Sequence, residues 1–319
     1  MIERVVTVGE ALAVFRAGDD GPLWCAPRVA VSTGGAEANV AMALARCGTP
    51  VSWYGRVGDD SLGRRVVREL RAEGVDVHAV VDPGGPTGLL VKERSADGRT
   101  GVVYYRRGSA GSRLSPEDVE RIPLSPTTLL HLTGITPALS DGARSAVDHL
   151  LDRAGAAGAT VSFDVNHRGR LWPAGTASPV YRAIAARAQL VFAGVDEVPY
   201  LLPAWAGGDA GAAALALAER GFAHVVVTAG AAGAVACVEG TRHAVPAVPL
   251  GGPVETVGAG DAFVGGYLAD LVAGRPAEHR LLTGARLGAA ACRHPGDWEG
   301  VADLSGLDPA DVTADPVSR

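Results

Sequence analysis

The feature that most constrains this chain is a change of hydrophobic period that recurs along it. Runs rich in β-branched residues, each about as long as one strand, alternate with longer stretches in which apolar residues return every three or four positions. The strand-like runs are RVVTVG (4–9), VSWYG (51–55), LLHLTG (129–134), TVSFDV (160–165), LVFAG (190–194) and HVVVTAG (224–230). The helical stretches fall at 35–47, 60–73, 140–156, 195–203, 209–220, 259–273 and 277–292. Strands joined through helices do not pair as hairpins, so the expected fold is α/β, with a mainly parallel central sheet and helices on both faces. Residues 11–33 and 84–107 break the alternation, carrying LAVF, RVAVST, TGLLVKE and GVVYYRR with turn residues between them and no helix. They are expected to form a small β-sheet lid, inserted in a single α/β domain spanning 1–319 and covering a cleft. The polar, proline-bearing stretch from about 305 onward is expected to be loosely ordered.

Composition excludes more than it assigns. A chain of 319 residues, 47% of them hydrophobic, buries a sizeable core. Its net charge of −6 comes without a block of like charge, which speaks against a nucleic-acid groove or an anionic membrane surface and for small-molecule chemistry. MIERVVTVGEAL at the start has no apolar stretch behind a basic one, and no apolar run is long enough to cross a bilayer, so a soluble, cytoplasmic protein is expected. Cys25, Cys47, Cys237 and Cys292 are spaced too widely for CxxC and read as reduced, mostly buried thiols. The eight histidines show no HExxH or paired Cys/His cluster, which argues against a protein-held zinc. Lys92 is the only lysine among 29 basic residues, so no GxxxxGK[ST] phosphate loop exists and Schiff-base chemistry would fall to Lys92 alone. No GxSxG elbow is present, and the nearest match to GxGxxG, GAGDAF (258–263), has Phe263 at its third position and lies late in the chain.

Open parallel sheets bind ligands beyond the carboxyl ends of their strands. The residues to inspect are therefore Glu10, Gly134 to Thr136, NHR (166–168), Glu197 and Gly230 to Gly233. Another is ETVGAGDAFVGGYLADLVAGR (255–275), where Gly258, Gly260 and Asp261 open an apolar helix. Two readings fit: helix punctuation, with Asp261 complementing the first turn, or an anion hole of unpaired backbone N–H groups with Asp261 as a base beside it. GVVYYRRGSAGS (101–112) reads as a strand with Tyr104 and Arg106 on one face and Tyr105 and Arg107 on the other. It is either an edge strand with solvated arginines or part of the lid, with one Tyr/Arg pair pointing into the cleft. SFDVNHR (162–168) puts Asp164, Asn166 and Arg168 at a strand end, as an Asx-stabilised loop or as site residues. If both Arg106 and Arg168 face inward, they suit a carboxylate, and a sugar acid follows.

GGAEANVAMALARCG (34–48), GRVGDDSLGRRVVRELRAEGVDV (55–77) and ETVGAGDAFVGGYLA (255–269) together resemble the ribokinase-like carbohydrate kinase family, in the expected order over most of the chain. Within it, YYRRGSAGS (104–112), LHLTGITPALS (130–140), SFDVNHRGRLW (162–172) and GDWEG (296–300) are similar to the 2-keto-3-deoxygluconate kinase branch. The resemblance implies a ribokinase-like fold, ATP and Mg2+, and transfer of the γ-phosphoryl group to a sugar-acid hydroxyl to give the 6-phosphate. It implies that Asp261 is the base, with the N–H groups of Gly258, Ala259 and Gly260 holding charge on the transferred group. Gly35, Asn39, Tyr104, Arg106 and Arg168 would bind the sugar acid together with Asp261. Thr228, Gly230 and Gly233 would form the nucleotide turn beside Gly258 and Gly260, and Glu197 would hold magnesium through water, with no metal ligated directly. Gly194, Glu255 and Leu90 depart from the family pattern. Another sugar, as in fructokinases and ribokinases, is the alternative substrate; a sugar-binding regulator without catalysis and an NAD-dependent dehydrogenase are the alternative classes. Exposed lid strands lead to the expectation of a homo-oligomer.

Overall fold

The computed structural model describes residues 1–17, 23–94, 100–250 and 255–302. The stretch from about 305 onward lies outside them. Thirteen strands are described: β1 (Arg4–Val8), β2 (Leu12–Ala17), β3 (Val29–Gly34), β4 (Val51–Gly58), β5 (Asp76–Asp82), β6 (Leu89–Arg94), β7 (Thr100–Tyr105), β8 (Thr128–Thr133), β9 (Thr160–Asp164), β10 (Leu190–Gly194), β11 (His224–Thr228), β12 (Ala234–Val238) and β13 (Thr241–Val245). Nine form one sheet in the order β13-β12-β11-β10-β9-β8-β1-β4-β5, and four form a second in the order β3-β2-β6-β7. From β11 to β5 the large sheet is parallel throughout.

Both faces of the large sheet are covered, and the period-two alternation of its strands sorts the core into two layers. Val6, Leu130, Val191 and Val225 pack with the helices Asp141–Ala157, Ala174–Ala185 and Ala210–Glu219. Val5, Leu129, Leu190 and Val226, one residue away on each strand, pack with Ala36–Arg46, Ser61–Ala72, Ala259–Val272 and Ala277–Cys292. The two helices that frame the site approach closely because Gly265 faces Ala43: a Cβ on Gly265 would lie 2.5 Å from that of Ala43.

Three strands and three helices went unread in the sequence, two of the helices, Pro116–Val119 and Thr136–Leu139, being only four residues long. β12 and β13 pair antiparallel through Glu239 and Gly240, whose φ values of 49° and 80° belong to a tight hairpin turn usually marked by Asn-Gly or Asp-Gly. β5 is an edge strand with mostly exposed residues, and Ala174–Ala185 carries Pro179 and little apolar period. Among the described residues no helix is long and apolar enough to cross a membrane. Of the cysteines, Cys237 and Cys292 are buried and Cys25 is exposed.

The small sheet draws β2 and β3 from 11–33 and β6 and β7 from 84–107. One face packs Leu12, Val14 and Leu90 with Val102 and Tyr104. Its other face leaves Val103 and Tyr105 exposed.

Candidate active site

The carboxyl ends of β9, β10 and β11, the amino ends of the helices Ala36–Arg46 and Ala259–Val272, and the apolar face of the small sheet enclose one cavity of about 570 Å³. Of the residues expected at the site, it is lined by Gly35, Asn39, Tyr104, Arg106, Arg168, Glu197, Thr228, Gly258, Gly260 and Asp261. Ala259, Gly230 and Gly233 do not line it.

Asp261 is the third residue of its helix and is buried. Its Oδ2 accepts a hydrogen bond from Asn39 Nδ2 at 2.8 Å and its Oδ1 one from Asn166 Nδ2 at 3.2 Å. Burial pushes the Asp261 carboxyl up to about 6. The two amides and Arg168 pull the other way, and Asp297 adds to the rise. A carboxylate poised there is matched to accept a proton near neutral pH.

The turn that delivers Asp261 admits only glycine. Gly258 caps the helix at φ 84°, and a Cβ on it would stand 1.9 Å from the carbonyl oxygen of Asp297. Gly35, at φ 126°, caps the facing helix, and a Cβ there would meet the Glu10 carbonyl at 2.4 Å. Among the described residues, the N–H groups of Gly258 and Gly260 find no backbone acceptor. That of Ala259 donates to Thr256 O at 3.3 Å, so the expected three-membered set of free donors contracts to two.

The two arginines differ in what they meet. Arg106 reaches the cavity, with its guanidinium 5.4 Å from the Tyr104 ring centre, and is engaged along one edge. Its Nε and Nη2 both meet Glu10 Oε2, at 2.7 and 2.6 Å, and Ser109 Oγ donates to Glu10 Oε1. Glu10, buried at the end of β1, thus neutralises a cation brought by the lid strand. Arg168 meets no carboxylate among the described residues; its Nη1 donates to the carbonyl of His167 at 3.1 Å. His167 is in turn fixed by Tyr181 Oη at 3.0 Å and by the Tyr200 ring at 4.2 Å.

Beside them, Glu197 holds the main chain. Its Oε1 accepts from His167 N at 2.6 Å and its Oε2 from Gly194 N at 2.8 Å, which ties the loop after β9 to the turn after β10. Thr228 reaches the cavity from β11, whereas Gly233 packs behind it: a Cβ there would lie 2.2 Å from Val245 O. Four of the lining residues that the sequence did not assign a role carry a carboxyl or amide side chain: Asp164, Asn166, Asp196 and Asp297. Asn166 stands at φ 39°, and its amide bridges Asp164 Oδ2 at 2.8 Å and Asp261. Burial and the nearby Glu197 push the Asp164 carboxyl well above the usual range. A left-handed asparagine between two carboxylates was foreshadowed by Asp164, Asn166 and Arg168 clustering at a strand end, but not distinguishable there from a loop.

Residues 2–302 match the pfkB family carbohydrate kinases. The chain is 34% identical over 301 residues to 2-dehydro-3-deoxygluconokinase of Bacillus subtilis, covering 93% of this chain and 91% of that protein. It is 33% identical to 2-dehydro-3-deoxygalactonokinase of Haloferax volcanii, with 91% of each covered. The crystal structure of fructokinase from Vibrio cholerae, with fructose, ADP and calcium bound, superposes with a TM-score of 0.82 at 26% identity, covering 96% of this chain and 98% of that one. The likeness to these sugar kinases runs through both sheets and the glycine-capped helix alike, and the chain belongs to the pfkB family of carbohydrate kinases.

Proposed function

We propose that this chain transfers the γ-phosphoryl group of ATP to the terminal hydroxyl of 2-keto-3-deoxygluconate or a close relative, giving the 6-phosphate. The observation that carries the reading is Asp261, buried and hydrogen-bonded, on one helical turn with the N–H groups of Gly258 and Gly260, which meet no backbone acceptor among the described residues. Phosphoryl transfer asks mainly for positioning and for stabilisation of charge on the moving group. Asp261 takes the hydroxyl proton as the oxygen attacks, and the Gly258 and Gly260 N–H groups take up charge on the phosphoryl oxygens. Gly35, Asn39 and Tyr104 border the sugar, under the small sheet acting as lid of a single domain. Arg168, with the Nη1 of Arg106 that Glu10 leaves unengaged, receives the acid. Thr228 lies on the nucleotide side, with Gly230 and Gly233 shaping the turn behind it. The donor set suits magnesium, an ion that prefers oxygen ligands and keeps several waters. Asp196 would hold it, with Glu197 acting through water because both its oxygens already accept main-chain hydrogen bonds; the ion neutralises phosphate charge. In this reading the protein works in the cytoplasm as a homo-oligomer, paired through the exposed face of the small sheet, without nucleic acid or membrane.

The kinship with two sugar-acid kinases supports the acid. One observation favours the alternative, a kinase of a neutral sugar: Arg106 already has its counter-charge in Glu10. ADP release with ATP and magnesium, across 2-keto-3-deoxygluconate, its galactonate epimer, fructose, ribose and gluconate, separates the two. Turnover confined to the keto-deoxy acids is expected; turnover on fructose or ribose would keep the mechanism and replace the substrate, and sugar binding without turnover would point to a regulator.

A further inference from the structure

The chain's one lysine lies in strand β6, on the same face as Leu90 two residues earlier, and is 1% exposed. Its Nζ stands 2.5 Å from Asp297 Oδ1, and Asp297 is 2% exposed. Leu90 and Asp297 line the cavity; Lys92 does not. The same short segment is held to the small sheet a second time, through Trp298 Nε1 donating to Thr33 O of β3 at 2.9 Å. Asp297 also forms the floor of the phosphate cradle, since its carbonyl oxygen occupies the space a side chain on Gly258 would need. A buried ammonium is costly unless paired, and a methionine would fill the same space more cheaply, so packing alone does not explain a lysine here.

We propose that Lys92 is a positioning residue: by holding Asp297 it seats the 296–300 segment against the Gly258 turn and so makes the donor geometry at the transferred phosphoryl group depend on the lid. The inference rests on the kinase reading given above. Lys92 touches no substrate. Its effect passes through Asp297 to the two N–H groups that meet charge as it develops, and interactions made only in the transition state appear in kcat. The charged groups facing Asp297 besides Lys92 are Glu299, Glu255 and Asp261, all of which repel it, so removing Lys92 leaves that carboxylate with unfavourable company.

The test is steady-state kinetics of wild type, K92M and K92R on the sugar acid that wild type prefers, each checked for folding by thermal unfolding. K92M is expected to lose at least tenfold in kcat with KM for the sugar within about threefold. K92R, which keeps a cation for Asp297, is expected to retain most of kcat. If K92M does not fold, K92M/D297N removes the stranded carboxylate as well and carries the same comparison, with stability recovered and kcat still low. A folded K92M with wild-type kcat overturns the proposal, as does a loss carried by KM alone, a folded K92R as impaired as K92M, or recovery of kcat with stability in the double variant. A wild type that phosphorylates nothing in the panel removes the kinase reading, and this inference with it. A wild type that is active beside an unaffected K92M removes the inference only.

Discussion

The cavity has two sides built on opposite terms. On the wall, supplied by the large sheet and its helices, polar groups are placed by backbone that tolerates no substitute: Gly35 and Gly258 at positive φ against carbonyl oxygens, and Asn166 forced left-handed between two carboxylates. On the cover, supplied by the four-stranded sheet, charges are placed by side chains, through the buried pairs Arg106–Glu10 and Lys92–Asp297. Backbone placement is rigid and suits the reacting atoms. Ion pairs are adjustable and suit selection among ligands. Groups placed by the backbone should therefore be intolerant of change in kcat, while charges placed by side chains should trade in KM, except Lys92, whose partner Asp297 underlies Gly258 and so acts on kcat.

The largest effect is expected at Asp261. D261N or D261A should lower kcat at least 10²–10⁴-fold, roughly the range that general-base assistance supplies, with the fold intact. Since burial raises the Asp261 carboxyl to about 6, wild-type kcat should fall as pH drops through that value, because the base must be ionised. The stability sign runs the other way. A carboxylate whose pKa is higher in the folded than in the unfolded state destabilises the fold above both values, so D261N should be the more stable protein at pH 7 by calorimetry, by on the order of 1 kcal/mol. Next comes G258A, where the new Cβ meets the Asp297 carbonyl. A loss of about a hundredfold in kcat is expected, together with a lower Tm. R168Q, in the loop after β9, should raise KM for the sugar acid with kcat little changed, by about 1.5–3 kcal/mol in kcat/KM, and should leave a neutral sugar unaffected. The smallest effect is expected from E10Q. Freeing Arg106 should lower KM for the acid several-fold at some cost in stability; an unchanged KM would take Arg106 out of acid recognition.

The same contrast marks what the sequence could reveal. Strands of the large sheet were legible because β1, β8, β9, β10 and β11 are buried on both faces and read as nearly continuous apolar runs. β5 escaped as a polar edge, and β12–β13 because Glu239-Gly240 turns the hairpin without the usual asparagine or aspartate. At the site, a glycine-opened helix with one aspartate announced itself because backbone demands are written in residue type. What stayed hidden was pairing at long range. Nothing local shows that Glu10 takes Arg106 across 96 positions, or that Asp297 lies beneath Gly258. The main-chain partners of Glu197 stayed hidden for the same reason: they come from separate loops.

The burial of Lys92 has a practical side. Every other basic side chain is arginine, so an acylating reagent meets no lysine amine on the folded surface. A single added mass on residue 92 would thus report molecules in which the cover has come away. Timed labelling read by mass spectrometry can count such openings directly, and a bound sugar that closes the cavity should slow them.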